Sequence, residues 1–599
     1  MRLHIRRTLT AALVLLGLTG CNGILDLSPK DQLSDQAVFN DPNLAEAFLN
    51  DIYRGLGHGL YEIMLSSISD ESHFIHNYNT EPVVQSLITS SDRGAIDDDR
   101  FNHFDWNDNY SRIRQANIFL SHIDATDFDP AWKQRMKGEA FFLRAYFYHN
   151  LMRMYGGVPL ITKVYGLNED YQVARNSFKE TVDFVVADAD SAAALLPLVH
   201  TASNLGRATK GAALALKARV LLYAASDLYN VNPSGQPETG YTSPQDRTAL
   251  WRAAKNAAKA VMDLGIYSLF RPAPASPQEA AKNYADLFLQ QTSPEAIMSR
   301  FFLTSRGGAD GYHPGRDNGP NGYHTWGGNT PIQNLVDDYR MADGSKFDWA
   351  NPVEAAAPYA NRDPRFYGSI LFDGAQWRER PTDVKALDPY GIIQGFRELK
   401  VPDSTAVGGF RVVGGLDTRD GPIEDWNGSY SGYYIRKFID PSYNAQFTRQ
   451  QVPWIFFRYA EILFHYAEAS IELGELGDAL GVLNQIRRRA GMPEFSTSLD
   501  QATLRDEYRN ERRVEMAFEE QRFFDVRRWM IAPQVLSKNA VGINIFLEGD
   551  NRIDRSTWRN YRYDTLKIQD RAWNDKMYFM PIHRDELNRN SQLRQNPGY

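Results

Sequence analysis

Cysteine is nearly absent from this chain: among 599 residues there is one, Cys21. No disulfide can form within it, and no pair of thiolates can hold a metal. Also missing is any segment approaching the roughly 20 consecutive apolar residues that cross a bilayer. Lys and Arg (66) do not outnumber Asp and Glu (74), so the net charge of −8 offers none of the basic excess that nucleic acid requires. There is no Gly-rich loop ending in Gly-Lys-Ser/Thr, no His-Glu-x-x-His and no Gly-x-Ser-x-Gly elbow, and with them go the commonest signatures of nucleotide, zinc-peptidase and serine-hydrolase chemistry. His73 and His76, or Asp97 to Asp99 for calcium, supply metal-binding atoms without a third ligand at motif spacing. No catalytic residue, metal or cofactor is expected.

Aromatic residues are plentiful at 12%, with 31 Tyr and 11 Trp, which suits ring-stacking surfaces as well as a core. At the N-terminus Arg2, Arg6 and Arg7 precede an apolar stretch, Leu9 to Leu18, and Leu18-Thr19-Gly20-Cys21 resembles the lipobox of a bacterial lipoprotein. Residues 1–20 are therefore expected to be a signal peptide and Cys21 the lipidated residue. The mature chain, 21–599, reads as one large domain anchored by lipid rather than embedded.

Helical spacing dominates about 36–270 and 452–530. Asp41-Pro42 caps a first helix. Helices are expected from Tyr110, over Trp132 to Tyr155, Phe178 to Leu196, Thr209 to Leu228 and Trp251 to Leu264. Tyr459 to Leu473 and Ala479 to Ile486 form a hairpin stopped by Gly474 and Gly491-Met492-Pro493. Glu507 to Trp529 reads as one further helix, and spacing alone puts its many charges on a solvated face. The fold class is thus mainly α, a scaffold of divergent tetratricopeptide-like hairpins. Between about 271 and 451 the periodicity fades into Gly-rich loops with interspersed aromatics, which favours a functional insertion. Residues 531–599 read as a C-terminal packing segment.

The strings RYAEILFHYAEASIELG from Arg458, RNERRVEMAFEEQRFFDVRRW from Arg509 and GEAFFLRAYFYHNLMRMYGGVPL from Gly138 resemble the SusD/RagB family of outer-membrane nutrient-binding lipoproteins. The resemblance runs over nearly the whole chain. It implies capture of a glycan or other nutrient at the cell surface and delivery, without turnover, to a TonB-dependent transporter of SusC type. The competing expectation is a lipid-anchored glycan-degrading enzyme. Family members with known glycan sites carry aromatics just before the Tyr110 helix and within the central insertion. That correspondence singles out Trp106 with Asn107, Asn109 and Arg93 in the first loop, and Tyr323 with Trp326 in the second.

Overall fold

The computed structural model describes residues 35–76, 78–92, 104–166, 168–303 and 313–599. Cys21, Arg93 and Asp97 to Asp99 lie outside these residues.

Most long helices begin where a short polar side chain can satisfy an orphan backbone N–H. Asp41 accepts from Asn43 N ahead of α1 (Pro42–Arg54), Asp105 from Asp108 N ahead of α2 (Trp106–Ile123), and Asp129 from Trp132 N ahead of α3 (Pro130–Tyr155). Ser177 and Glu180 form a reciprocal capping box on α4 (Phe178–Leu195). Thr209 and Asp246 cap α5 (Lys210–Ala225) and α6 (Arg247–Met262). Each helix from α2 to α5 packs on its successor, α6 lies on α5 and on α8 (Tyr459–Glu472), and α8 pairs with α9 (Leu476–Arg489). The Ala-rich α5 is buried on nearly every side, as expected of a helix enclosed by α4, α6 and α8.

Three features depart from the expectations. First, α2 starts at Trp106 rather than Tyr110, so Trp106, Asn107 and Asn109 occupy its first turn and not a loop. Second, the stretch read as one helix from Glu507 to Trp529 is two, α10 (Gln501–Glu515) and α11 (Arg522–Arg528). The break contains Phe518 and Glu520 with φ of 64° and 60°, a conformation no helix tolerates. Third, the charges on these helices are not solvated. Glu511, Arg512, Arg513, Glu515, Arg522 and Asp525 are all buried, and each carboxylate has a guanidinium opposite. Arg458 reaches Glu295, Glu515 and Glu519 at 2.7–2.8 Å. Arg365 joins Asp363 and Glu511, and Arg528 joins Glu468 and Asp525.

The central segment contains α7 (Pro277–Leu287), whose Ala280, Tyr284 and Leu287 are buried. It packs on the short helix Pro364–Ser369. Strand β1 (Ser72–Phe74) pairs antiparallel with β3 (Asn329–Pro331), β2 (Ala296–Arg300) with β8 (Trp454–Arg458), and β4 (Ile370–Leu371) with β7 (Tyr434–Ile435). A four-stranded sheet, in the order β10-β9-β5-β6, joins β5 (Glu398–Pro402) and β6 (Phe410–Val413) to the hairpin of β9 (Ala540–Glu548) and β10 (Arg559–Gln569). The sequence reading contained no such sheet. Phe366, Tyr434 and Ile435 are buried and anchor the loop layer. One apolar cluster runs from Phe39 to Ile582 and takes in both the helical scaffold and the loop layer.

Candidate functional site

The site is built where β1 and β3 end. Pairing of Phe74 with Asn329, and the bond from Ile75 N to Gly328 O at 2.9 Å, set His76 beside Trp326. Glycine is needed at this crossing. A Cβ on Gly327, whose φ is +56°, would stand 2.6 Å from Asn427 O, and one on Gly328 would stand 2.7 Å from Asp317 O. The loop carrying Trp426 can approach for that reason. Buried Tyr434 ties the layers together: its hydroxyl donates to Asn321 Oδ1 and accepts from Ser429 N, both at 2.9 Å.

Five rings and two guanidiniums result on one surface. The imidazole of His76 stacks on Trp426 with centroids 5.5 Å apart and 27° between planes, and on Tyr78 at 6.1 Å and 11°. Trp426 is 62% exposed and Tyr430 37%. Arg419 lies 4.1 Å over the Tyr430 ring and donates to Trp426 O. Arg316 lies 4.0 Å over half-buried Trp326 and is bound to Asp317. Tyr78 donates to Glu62. Burial lowers the His76 pKa, and Arg419 adds to this against the opposing pull of Glu62 and a Trp326 backbone hydrogen bond, so the imidazole is neutral at physiological pH. Burial pushes Asp317 up to about 6 in spite of Arg316. Flat exposed faces ringed by guanidinium, amide and carboxylate groups can hold a molecule with apolar faces and hydroxylated edges.

Of the residues singled out in the sequence, Trp326 lies on this surface. Tyr323 does not. It is 1% exposed, its ring lies beneath Arg378 and Arg380, and its hydroxyl donates to Arg378 O at 2.9 Å. Trp106 is 6% exposed and packs on Tyr110 and Tyr155 with centroids 5.0 and 5.2 Å away. Asn109 is buried, its amide donating to Asp105 O, while Asn107 is exposed. Trp106 and Asn107 border a small cavity of about 30 Å³ closed by Met580 and Pro581. Among the described residues, Trp106 stacks on no ring of the Trp326–Trp426 surface.

Trp426, Tyr430, Tyr78 and the ring role of His76 escaped the sequence reading. A signal existed: Asp425-Trp426-Asn427-Gly428-Ser429-Tyr430 has the same composition, rings among amides and glycine, that drew attention to Tyr323 and Trp326. His73, weighed with His76 as a metal ligand, turns instead toward Tyr430, edge to face at 5.8 Å.

Together the stacked helical hairpins and the ring-lined loop layer define a mainly helical fold on a tetratricopeptide-like scaffold. The chain belongs to the SusD family, whose model matches residues 294–599. A second family model, described as starch-binding associating with outer membrane, matches residues 24–222. SusD-like protein P38 of Formosa agariphila is 24% identical over 575 residues, covering 92% of this chain and 95% of that protein. The crystal structure of a SusD-like protein from Bacteroides fragilis shares 28% identity at a TM-score of 0.73, over 96% of this chain and all of that one. A SusD-like carbohydrate binding protein of the same species has the same fold, at 23% identity and a TM-score of 0.71, over 93% of this chain and all of that one.

Proposed function

We propose that this chain is a lipid-anchored protein of the outer cell surface that captures an oligosaccharide on the Trp326–Trp426 surface. It then hands the ligand to a TonB-dependent outer-membrane transporter of SusC type, and no bond is broken. The observation that carries the reading is Trp426, an indole left 62% exposed while stacked on His76. An exposed ring with one face backed by another is a platform for the C–H face of a sugar. Tyr430 and Trp326 extend the platform, and Arg419, Arg316, Asn427 and Glu62 supply partners for hydroxyls. Tyr323 fixes its own loop beneath Arg378 and Arg380, and Trp106 and Asn109 fix the start of α2. Exposed Asn107 is kept as a proposed polar ligand contact, and so is Arg93, which lies outside the described residues. The description of a Bacteroides fragilis relative as carbohydrate binding supports the same reading, and Cys21 carries the anchor.

The test is a glycan array probed with the purified mature chain. Retention of a defined oligosaccharide, lost in Trp426→Ala, supports the proposal. Release of free sugar from a bound glycan would move the protein to the enzyme class instead.

A further inference from the structure

A second opening lies in the loop layer, between the segment Arg378 to Lys385 and the segment Pro441 to Phe447. It is a groove of about 870 Å³, and none of the rings of the Trp326–Trp426 surface lines it. His324, two residues before Trp326, forms part of its wall.

Phe447 stands at this groove with 77% of its surface exposed. The backbone holds it there: Phe447 N and Thr448 N both donate to Asn444 O, at 3.1 and 2.9 Å. The turn before it is fixed by Asp440, which accepts from the backbone and hydroxyl of Ser442. A large ring fixed in water at the edge of a groove loses apolar contact that a ligand face would restore.

The basic side chains of the groove differ in what they face. Arg380 is neutralised by Asp388 and Asp417, both at 2.7 Å. Lys385 is paired with Glu379, and His324 with Asp383 at 3.0 Å. Arg378 has no carboxylate partner among the described residues. Its Nη1 donates to Tyr443 O at 2.8 Å and its Nη2 to Asn444 Oδ1 at 3.3 Å, and both acceptors are neutral. Burial, with the adjacent Arg380, lowers its pKa, as expected of a guanidinium partly removed from water without a counter-charge. Guanidinium geometry favours a planar two-oxygen anion.

We infer that this groove is a second saccharide site that takes an acidic sugar, with Phe447 stacking on the ring and Arg378 pairing with a uronate carboxylate or a sulfate ester. The inference rests on the glycan-binding reading above but concerns different residues.

The experiment compares the mature wild-type chain with Phe447→Ala, Arg378→Gln, Arg378→Lys and Trp426→Ala on an array of neutral, uronate-containing and sulfated oligosaccharides. Melting temperatures are measured in parallel, because Arg378 also holds the Tyr443 loop. Acidic glycans should bind the wild type and lose roughly tenfold or more in affinity in Phe447→Ala and Arg378→Gln. Arg378→Lys, which keeps the charge, should retain part of that affinity. Binding of neutral glycans should survive these changes and fall in Trp426→Ala. The uronate and sulfate arms decide which anion is taken. Neutral glycans bound through Trp426 with no acidic glycan bound would overturn this inference alone. So would acidic binding unchanged in folded Phe447→Ala and Arg378→Gln. A wild-type chain that binds no glycan would contradict both readings.

Discussion

Arg458 Nη1 lies 2.8 Å from Glu515 Oε1 with both side chains buried, so the last residue of β8 is locked to the last residue of α10. Glu515 also faces Arg489 and Arg365. Burial alone would raise its pKa, but Arg489, Arg458, Arg365 and Lys437 outweigh it and hold the carboxyl down at about 2. The ion pairs thus join the central segment, the hairpin α8–α9 and α10 into one body.

Glu515→Gln keeps the shape and removes the charge that three guanidiniums share. Breaking a buried pair by deleting one partner costs about 3–5 kcal/mol. The variant should melt well below wild type, and an unchanged melting temperature would show that the remaining carboxylates suffice.

Glu71 provides a pH-dependent prediction of opposite sign. Burial, followed by repulsion from Asp70, raises its pKa to about 8 against the pull of Arg513 and Arg522. The folded state therefore holds a proton that the unfolded state gives up near the ordinary glutamate pKa of about 4.3. Between about 4.3 and 8 the native state binds more protons, so this group's contribution to stability declines as pH rises through that window. Glu71→Gln mimics the protonated form at every pH. Its melting temperature should fall less than that of wild type between pH 5 and pH 8, and parallel curves for the two proteins would contradict the assignment.

Trp106→Ala should cost about 3–5 kcal/mol of stability, the usual penalty for emptying an aromatic site, because the indole is buried against Tyr110 and Tyr155. The fraction that remains folded should bind glycan close to wild-type strength. Calorimetric melting combined with affinity electrophoresis checks both halves.

The helical scaffold was legible because its information is local. Asp41-Pro42, Gly474 and Gly491-Met492-Pro493 are signals confined to a few residues, and each marks an end of a helix in the structure. The charged helices were misread for the complementary reason. Nothing near Glu515 announces Arg365 or Arg458, which arrive from the helix Pro364–Ser369 and from β8 respectively, so a local rule places the charge in water. The start of α2 was missed because Trp-Asn-Asp-Asn looks like a turn until Asp105 is recognised as its cap. Strands β9 and β10 lay in a segment whose family resemblance suggested only packing. At the site, family correspondence led to Trp326 but also to Tyr323 and Trp106, whose burial depends on Arg380 and on Tyr155, contacts that a single segment cannot display. Trp426 had no family string to mark it.

Cys21→Ser removes the only residue able to take a thioether-linked lipid. In cells lacking the proposed transporter partner the protein should leave the membrane fraction for the soluble one, with its melting temperature unchanged. Persistent membrane association there would count against the anchor.

The central claim is that an exposed indole backed by His76 is the glycan platform. The measurement that tests it most directly is oligosaccharide affinity of Trp426→Ala, by titration calorimetry, with the melting temperature recorded on the same sample. The account predicts a loss of about 2 kcal/mol, roughly 30-fold, as for a central aromatic contact, at wild-type stability, since a ring so exposed contributes little to the core. Wild-type affinity in a normally folded Trp426→Ala would contradict it.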